Sequence, residues 1–125
     1  MTTTHHSETD VQNAIRIRAS QLGWRLWRNN VGVLPDRNGR PVRFGLANDS
    51  KAQHEQFASA DLIGIAPVLI GPEHVGRVLG LFVSVEAKAG AAEVRRAPAA
   101  QGRWRDLVAS MGGKALLTCD PEDVR

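Results

Sequence analysis

Residues 61–88 read DLIGIAPVLIGPEHVGRVLGLFVSVEAK. Two runs rich in Ile, Val and Leu flank a centre of chain breakers, Gly71-Pro72-Glu73-His74. Apolar runs bounded by Gly and Pro read as strands, so Asp61–Ile70 and Leu79–Lys88 are predicted to be strands joined by a turn. A turn centred near Glu73-His74 makes the pair antiparallel and sets Asp61 opposite Glu86, to within a residue. Directly opposed residues hold their Cβ atoms roughly 4.5–5.5 Å apart on one face. Two carboxylates that close repel, and a divalent cation between them would convert the repulsion into binding, since hard cations prefer oxygen ligands.

The second strand sorts its residues by face. Leu81, Val83, Val85 and Ala87 suit a core, whereas Phe82, Ser84, Glu86 and Lys88 share the opposite face. Burying unpaired charge is expensive, and an open cleft or a metal site removes that cost. Taken alone, Glu86-x-Lys88 also fits a solvated strand end and Asp61 an ordinary turn residue; the register is what joins them.

Outward from this stretch the chain reads as alternating elements. Ser7 can cap a helix through Leu22, with Glu8 and Asp10 at its positive end and Gly23 as its stop. Glu8, Gln12, Ile15 and Ala19 fall on one face of that helix, so Glu8 and Gln12 extend the apolar stripe; the favourable place of an acid at a helix N-terminus is a sufficient reason for Glu8 by itself. Trp24–Asn30 alternates as a strand. Val31–Leu34 and Val42–Gly45 flank Pro35-Asp36-Arg37-Asn38-Gly39, whose Asn-Gly pair predicts a hairpin. Residues 46–60 show neither period and read as an exposed loop that carries Asp49, Lys51, His54 and Glu55. A basic loop, Ala89–Ala97, precedes a helix opened by Pro98, with the stripe Ala100, Trp104, Leu107, Val108 and Met111 and a stop at Gly112-Gly113. Ala115–Cys119 is a last strand with Cys119 in the core, and Asp120-Pro121-Glu122-Asp123 a capped helix start. This is an α/β layer arrangement.

The 125 residues suit one domain, residues 7–125, behind a loose tail at 1–6 in which His5-His6 is too short to act as a tag. Hydrophobic content of 42% and a net charge of +3 permit a basic enzyme or a nucleic-acid-binding module without selecting either. One cysteine excludes an internal disulfide and a cysteine zinc cage. A polar N-terminus and interrupted apolar runs predict no signal peptide, no membrane span and a cytoplasmic protein.

Seven pieces, in order, carry a family resemblance: Glu8-Thr9-Asp10-Val11-Gln12, Arg28-Asn29-Asn30-Val31-Gly32, Gly39-Arg40-Pro41-Val42-Arg43-Phe44-Gly45, Ala60-Asp61-Leu62-Ile63-Gly64, Val85-Glu86-Ala87-Lys88, Ala97-Pro98-Ala99-Ala100-Gln101 and Met111-Gly112-Gly113. By their order and spacing the chain resembles a stand-alone VRR-NUC domain of the PD-(D/E)XK nuclease superfamily. The resemblance implies a restriction-endonuclease-like fold, a central mixed β-sheet flanked by helices, and Mg²⁺- or Mn²⁺-dependent hydrolysis of DNA phosphodiesters. It makes Asp61, Glu86 and the Ala87 carbonyl the metal ligands, with Glu8 as an added acid acting through water. Lys88 would orient or deprotonate the attacking water and stabilise the developing charge, and Gln101 would position Lys88 or the scissile phosphate. Arg95, Arg96, Arg103 and Arg105, with Gln12, would meet the DNA. The chain departs from the family at Ser59-Ala60, where a Gly or Lys and then a small residue or Pro is common, and in the longer loop at 46–58, read as a mobile insertion in preference to a loop that shapes substrate access.

The leading expectation is a structure-selective endonuclease acting on branched or Holliday-junction DNA as a homodimer. A restriction-type nuclease subunit would need a sequence-reading domain for which the chain has no room. A non-catalytic DNA-binding module would be expected to have lost a charged position of the motif, and each is present.

Overall fold

The computed structural model describes residues 7–125, and the polar tail with His5-His6 lies outside them. It is a mixed α/β structure whose tertiary contacts form two compact units, Met1–Gly64 and Ile65–Arg125. No helix among the described residues is long and apolar enough to cross a membrane.

The first unit opens with helix α1, Glu8–Gln21. The Ser7 hydroxyl accepts from the Asp10 N–H while the Asp10 carboxylate accepts from the Ser7 N–H, both at 3.1 Å. This reciprocal cap satisfies donors that the first turn would otherwise leave orphaned. Gly23, at φ 79°, turns the chain out of the helix, as expected. The stripe proposed for this helix is covered only in part: Ala19 is buried and Gln12 half-buried, while Glu8 and Ile15 are exposed.

Strands β1 (Arg25–Arg28), β2 (Gly32–Pro35) and β3 (Pro41–Phe44) follow. β2 and β3 form the predicted antiparallel hairpin, with Val33 opposite Arg43 and Leu34 opposite Val42. Its turn is built on Asp36, whose carboxylate accepts from the Asn38 and Arg40 N–H groups at 2.8 Å.

Residues 46–60 are mostly exposed, as expected of a loop, but they are not structureless. Asn48 is buried and fully engaged: its side-chain nitrogen donates to the Gly32 and Phe44 carbonyls at 2.9 and 2.8 Å, and its side-chain oxygen accepts from Arg43 at 2.8 Å. Ser50 then caps a short helix α2, Lys51–Gln56. The order comes from polar contacts, to which apolar periodicity is blind.

The 61–88 hairpin is likewise corrected. β4 is Leu62–Ile65 and pairs with β1, whereas β5 is Val83–Ala87 and pairs in parallel with β6, Lys114–Thr118. Apolar runs report that a segment is extended, not which edge it bonds to, so the register that set Asp61 opposite Glu86 does not occur. The β1 and β4 backbones approach so closely that a Cβ on Gly64 would run into the Arg25 carbonyl. The expected turn survives in place as a single 3-10 turn, Pro72–His74, closed by His74 Nδ1 accepting from the Gly71 N–H at 2.9 Å.

In the second unit, the parallel pair needs a crossover, supplied by α3 (Ala91–Arg95) and α4 (Ala99–Ser110). Part of the expected basic loop 89–97 is therefore helical. α4 starts after Pro98, ends at Ser110 just before Gly112, and buries Val108 completely, as its stripe predicts. Cys119 is exposed rather than in the core, because β6 ends one residue earlier at Thr118. The closing Asp120 cap on a 3-10 turn, Pro121–Asp123, is as expected.

Asn48→Ala is expected to cost at least about 2 kcal/mol, since it leaves two carbonyls and part of the Arg43 guanidinium without their partners. A chemical denaturation curve followed by circular dichroism measures the loss, and an unchanged midpoint would contradict the role given to Asn48.

Candidate active site

The face of β5 that packs inward is the polar one. Val83 and Val85 are 51% and 48% exposed, while Ser84, Glu86 and the following Lys88 are half-buried. This reverses the expected orientation, in which the Val face filled a core. α4 accounts for the reversal by satisfying the polar side chains beneath it. Trp104 Nε1 donates to Ser84 Oγ at 2.8 Å, and Gln101 Nε2 donates to Glu86 Oε1 at 3.2 Å. Lys88 Nζ reaches the same Glu86 oxygen at 3.3 Å.

Glu86, Lys88 and Gln101, three of the residues singled out in the sequence, are thus brought together. They meet at one carboxylate oxygen although Gln101 comes from a different element. The Lys88 side chain is only 19% exposed, against 43% for Glu86, so the ammonium sits deeper than its partner. The Lys88 backbone is fixed as well, its N–H donating to the Thr118 carbonyl at 2.9 Å. A cavity of about 260 Å³ opens beside the cluster, lined by Ser84, Glu86, Ala100, Gln101, Trp104, Arg105 and Leu116. Glu86 Oε2 takes part in none of these contacts and remains a hard oxygen donor.

Asp61 belongs to the first unit and is exposed. Its position is set by Asn29, which follows β1. The Asn29 N–H donates to the Asp61 carbonyl at 2.8 Å, and its side-chain nitrogen donates to Ser59 Oγ and the Ala60 carbonyl at 2.9 and 2.8 Å. Asn29 Oδ1 accepts from the Leu46 N–H at 3.2 Å, and Ser59 Oγ donates to the Leu46 carbonyl. Ser59, a departure from the family pattern, is therefore an integral part of the brace behind Asp61. Glu8 stands exposed in the first turn of α1.

Of the basic residues, Arg95, Arg96 and Arg103 are exposed and Arg96 pairs with Glu93 at 3.3 Å, whereas Arg105 is half-buried against the cavity. Sequence reasoning gave no role to Ser84 and took Trp104 for core packing alone. A lone Ser between two Val residues, on the face shared by Glu86, was the available signal.

No family model, curated protein or solved structure matches the chain.

Asn29→Ala should release the segment before Asp61. Hydrogen exchange at the Leu46 amide, which loses its acceptor, is expected to rise by about tenfold or more, the factor belonging to one ordinary hydrogen bond. Unaltered exchange there would mean that Asn29 does not brace the loop.

Proposed function

We propose that the chain is a metal-dependent deoxyribonuclease of the PD-(D/E)XK kind with a restriction-endonuclease-like fold, similar to stand-alone VRR-NUC domains. The observation that carries this reading is the meeting of Lys88 and Gln101 on Glu86 Oε1, at 3.3 and 3.2 Å, at the rim of a cavity. An acid, a base and an amide meeting at one oxygen beside an open cavity support a cleft that handles charge, in addition to letting α4 pack on the strand.

The donors assigned to the metal, namely Asp61, Glu86, the Ala87 carbonyl and Glu8 through water, are all oxygens, which suits Mg²⁺ or Mn²⁺. Glu86 fits the part in having one oxygen held by the protein and the other uncommitted. When bound, such an ion lowers the pKa of a coordinated water and offsets phosphate charge. Lys88 keeps further N–H donors beyond the one directed at Glu86, and these would orient the nucleophile and meet the charge that develops on the phosphate oxygens. Gln101 holds the carboxylate in place, so Glu86 and Lys88 keep a fixed relation. Arg95, Arg96 and Arg103, exposed on or beside α3 and α4, would hold flanking phosphates.

Branched DNA is the proposed substrate and a homodimer the proposed form, because a two-fold pair supplies the two symmetric cuts that a four-way junction needs. The hairpin supports this by exposing Val33, Leu34, Val42 and Phe44, with Leu34 62% exposed.

Cleavage of linear, flapped, nicked and four-way DNA with Mg²⁺, Mn²⁺ or EDTA is the decisive assay. Metal-dependent cutting is expected, with Lys88→Ala lowering the rate by about 10²–10³ while leaving fold and DNA binding intact. Near-normal turnover in that variant would remove Lys88 from the mechanism.

Asp61→Asn should strongly weaken Mn²⁺ binding measured by calorimetry or thermal shift. Equal affinity in the variant would exclude Asp61 as a ligand. Sedimentation of a monomer at micromolar concentration, with equal cutting of linear and four-way DNA, would leave a nuclease without junction selectivity.

A further inference from the structure

Two residues that line the cavity beside Glu86 each hold a buried polar atom without a hydrogen-bond partner, Gln101 Oε1 and Arg105 Nη1. The first can only accept and the second can only donate. Gln101 and Arg105 stand four residues apart on α4, hence one above the other on the same helix face. Arg105 takes part in none of the ion pairs found among the described residues. Each residue therefore carries the group the other lacks, one helical turn away and with no bond between them in this structure.

We infer that Arg105 is a positioning residue: it supplies the donor for Gln101 Oε1, directly or through a bridging water, and so decides which way the Gln101 amide faces Glu86. An amide end can turn over by rotation about its last bond. In one orientation Nε2 donates to the Glu86 carboxylate, as observed at 3.2 Å; in the other, a carbonyl oxygen confronts an anion. Capturing Oε1 at Arg105 selects the first orientation and holds Glu86 Oε1 where Lys88 meets it. Arg105 then differs from its exposed neighbours Arg95, Arg96 and Arg103, and does not contact phosphate. The inference rests on the nuclease reading only for what Glu86 goes on to do.

The Gln101 side-chain NH₂ signal in a ¹⁵N correlation spectrum, assigned by its loss in Gln101→Glu, tests this without an activity assay. In Arg105→Leu that signal should shift and exchange at least about tenfold faster, the factor carried by one modest hydrogen bond, and Arg105→Lys should restore it in part. The salt dependence of DNA binding should be unchanged in Arg105→Leu, while Arg103→Ala lowers the slope by about 0.9, one phosphate contact. If Arg105→Leu does not fold, Arg105→Gln and Arg105→Lys read the same resonance. An unchanged Gln101 signal on loss of the guanidinium overturns the inference, and a reduced salt slope with that signal unchanged assigns Arg105 to phosphate instead. A wild-type protein that cuts no DNA with either metal removes the nuclease reading and leaves the amide result standing.

Discussion

Glu86 carries a charge on the face of β5 that packs against α4, and a charge in that place must be paired. Lys88 and Gln101 both answer that requirement at one oxygen, and Trp104 answers the parallel need of Ser84. Given those bonds, α4 can lie on the polar face of the strand and still leave few polar groups unmet. This constraint fixes which face of β5 is inner and where the cavity opens. It also makes β5, the crossover and β6 a single structural unit, since the helix that satisfies Glu86 is the one that returns the chain to pair with it in parallel.

The first unit uses the same device at a different place. Asn48 is buried among backbone carbonyls and Arg43, and Asn29 ties the end of β1 to the turn at Leu46 and to the residues before Asp61. Asparagine suits both positions because it carries a donor and an acceptor on a short stem, so one side chain can bridge several backbone segments. Its hydrophobic burial is thin, with Ala19 covered while Val11, Ile15 and Ile17 on the same helix stay substantially exposed. Polar braces rather than packed volume define the geometry around Asp61.

The chemistry proposed for the second unit follows from the relation between depth and charge. Lys88 is less exposed than Glu86, and Glu86 is the one that lines the cavity. An acid placed outward with one uncommitted oxygen is suited to a hard cation, and an ammonium fixed by its own backbone bond is suited to a charge that appears only during reaction. Arg105, on the same face of α4 one turn beyond Gln101, is half-buried beside the same cavity. Electrostatic preorganisation of this kind depends on each group being held by the next.

The sequence by itself determined the local elements: the Ser7 cap and Gly23 stop of α1, the hairpin around Asn38-Gly39, the Pro98 start and apolar stripe of α4, the position of β6 to within a residue, and extended segments at β4 and β5 that are shorter than the runs predicted there. Each is written in residues close together in the chain, through capping, turn chemistry and periodicity. Glu86 and Lys88 are legible in it too, as two charges sharing one strand face, and Gln101 through the family resemblance. Only the tertiary structure decided that β4 pairs with β1 and β5 with β6, that the Val83–Val85 face is outward, and that Asn48 organises the segment after the hairpin. The physical reason is that a strand's pattern records its extended backbone and its two faces, whereas its hydrogen-bonding partner and its inner face depend on groups far away in the chain. Ser84 and Glu86 could turn inward only because Trp104 and Gln101, on α4, were there to receive them.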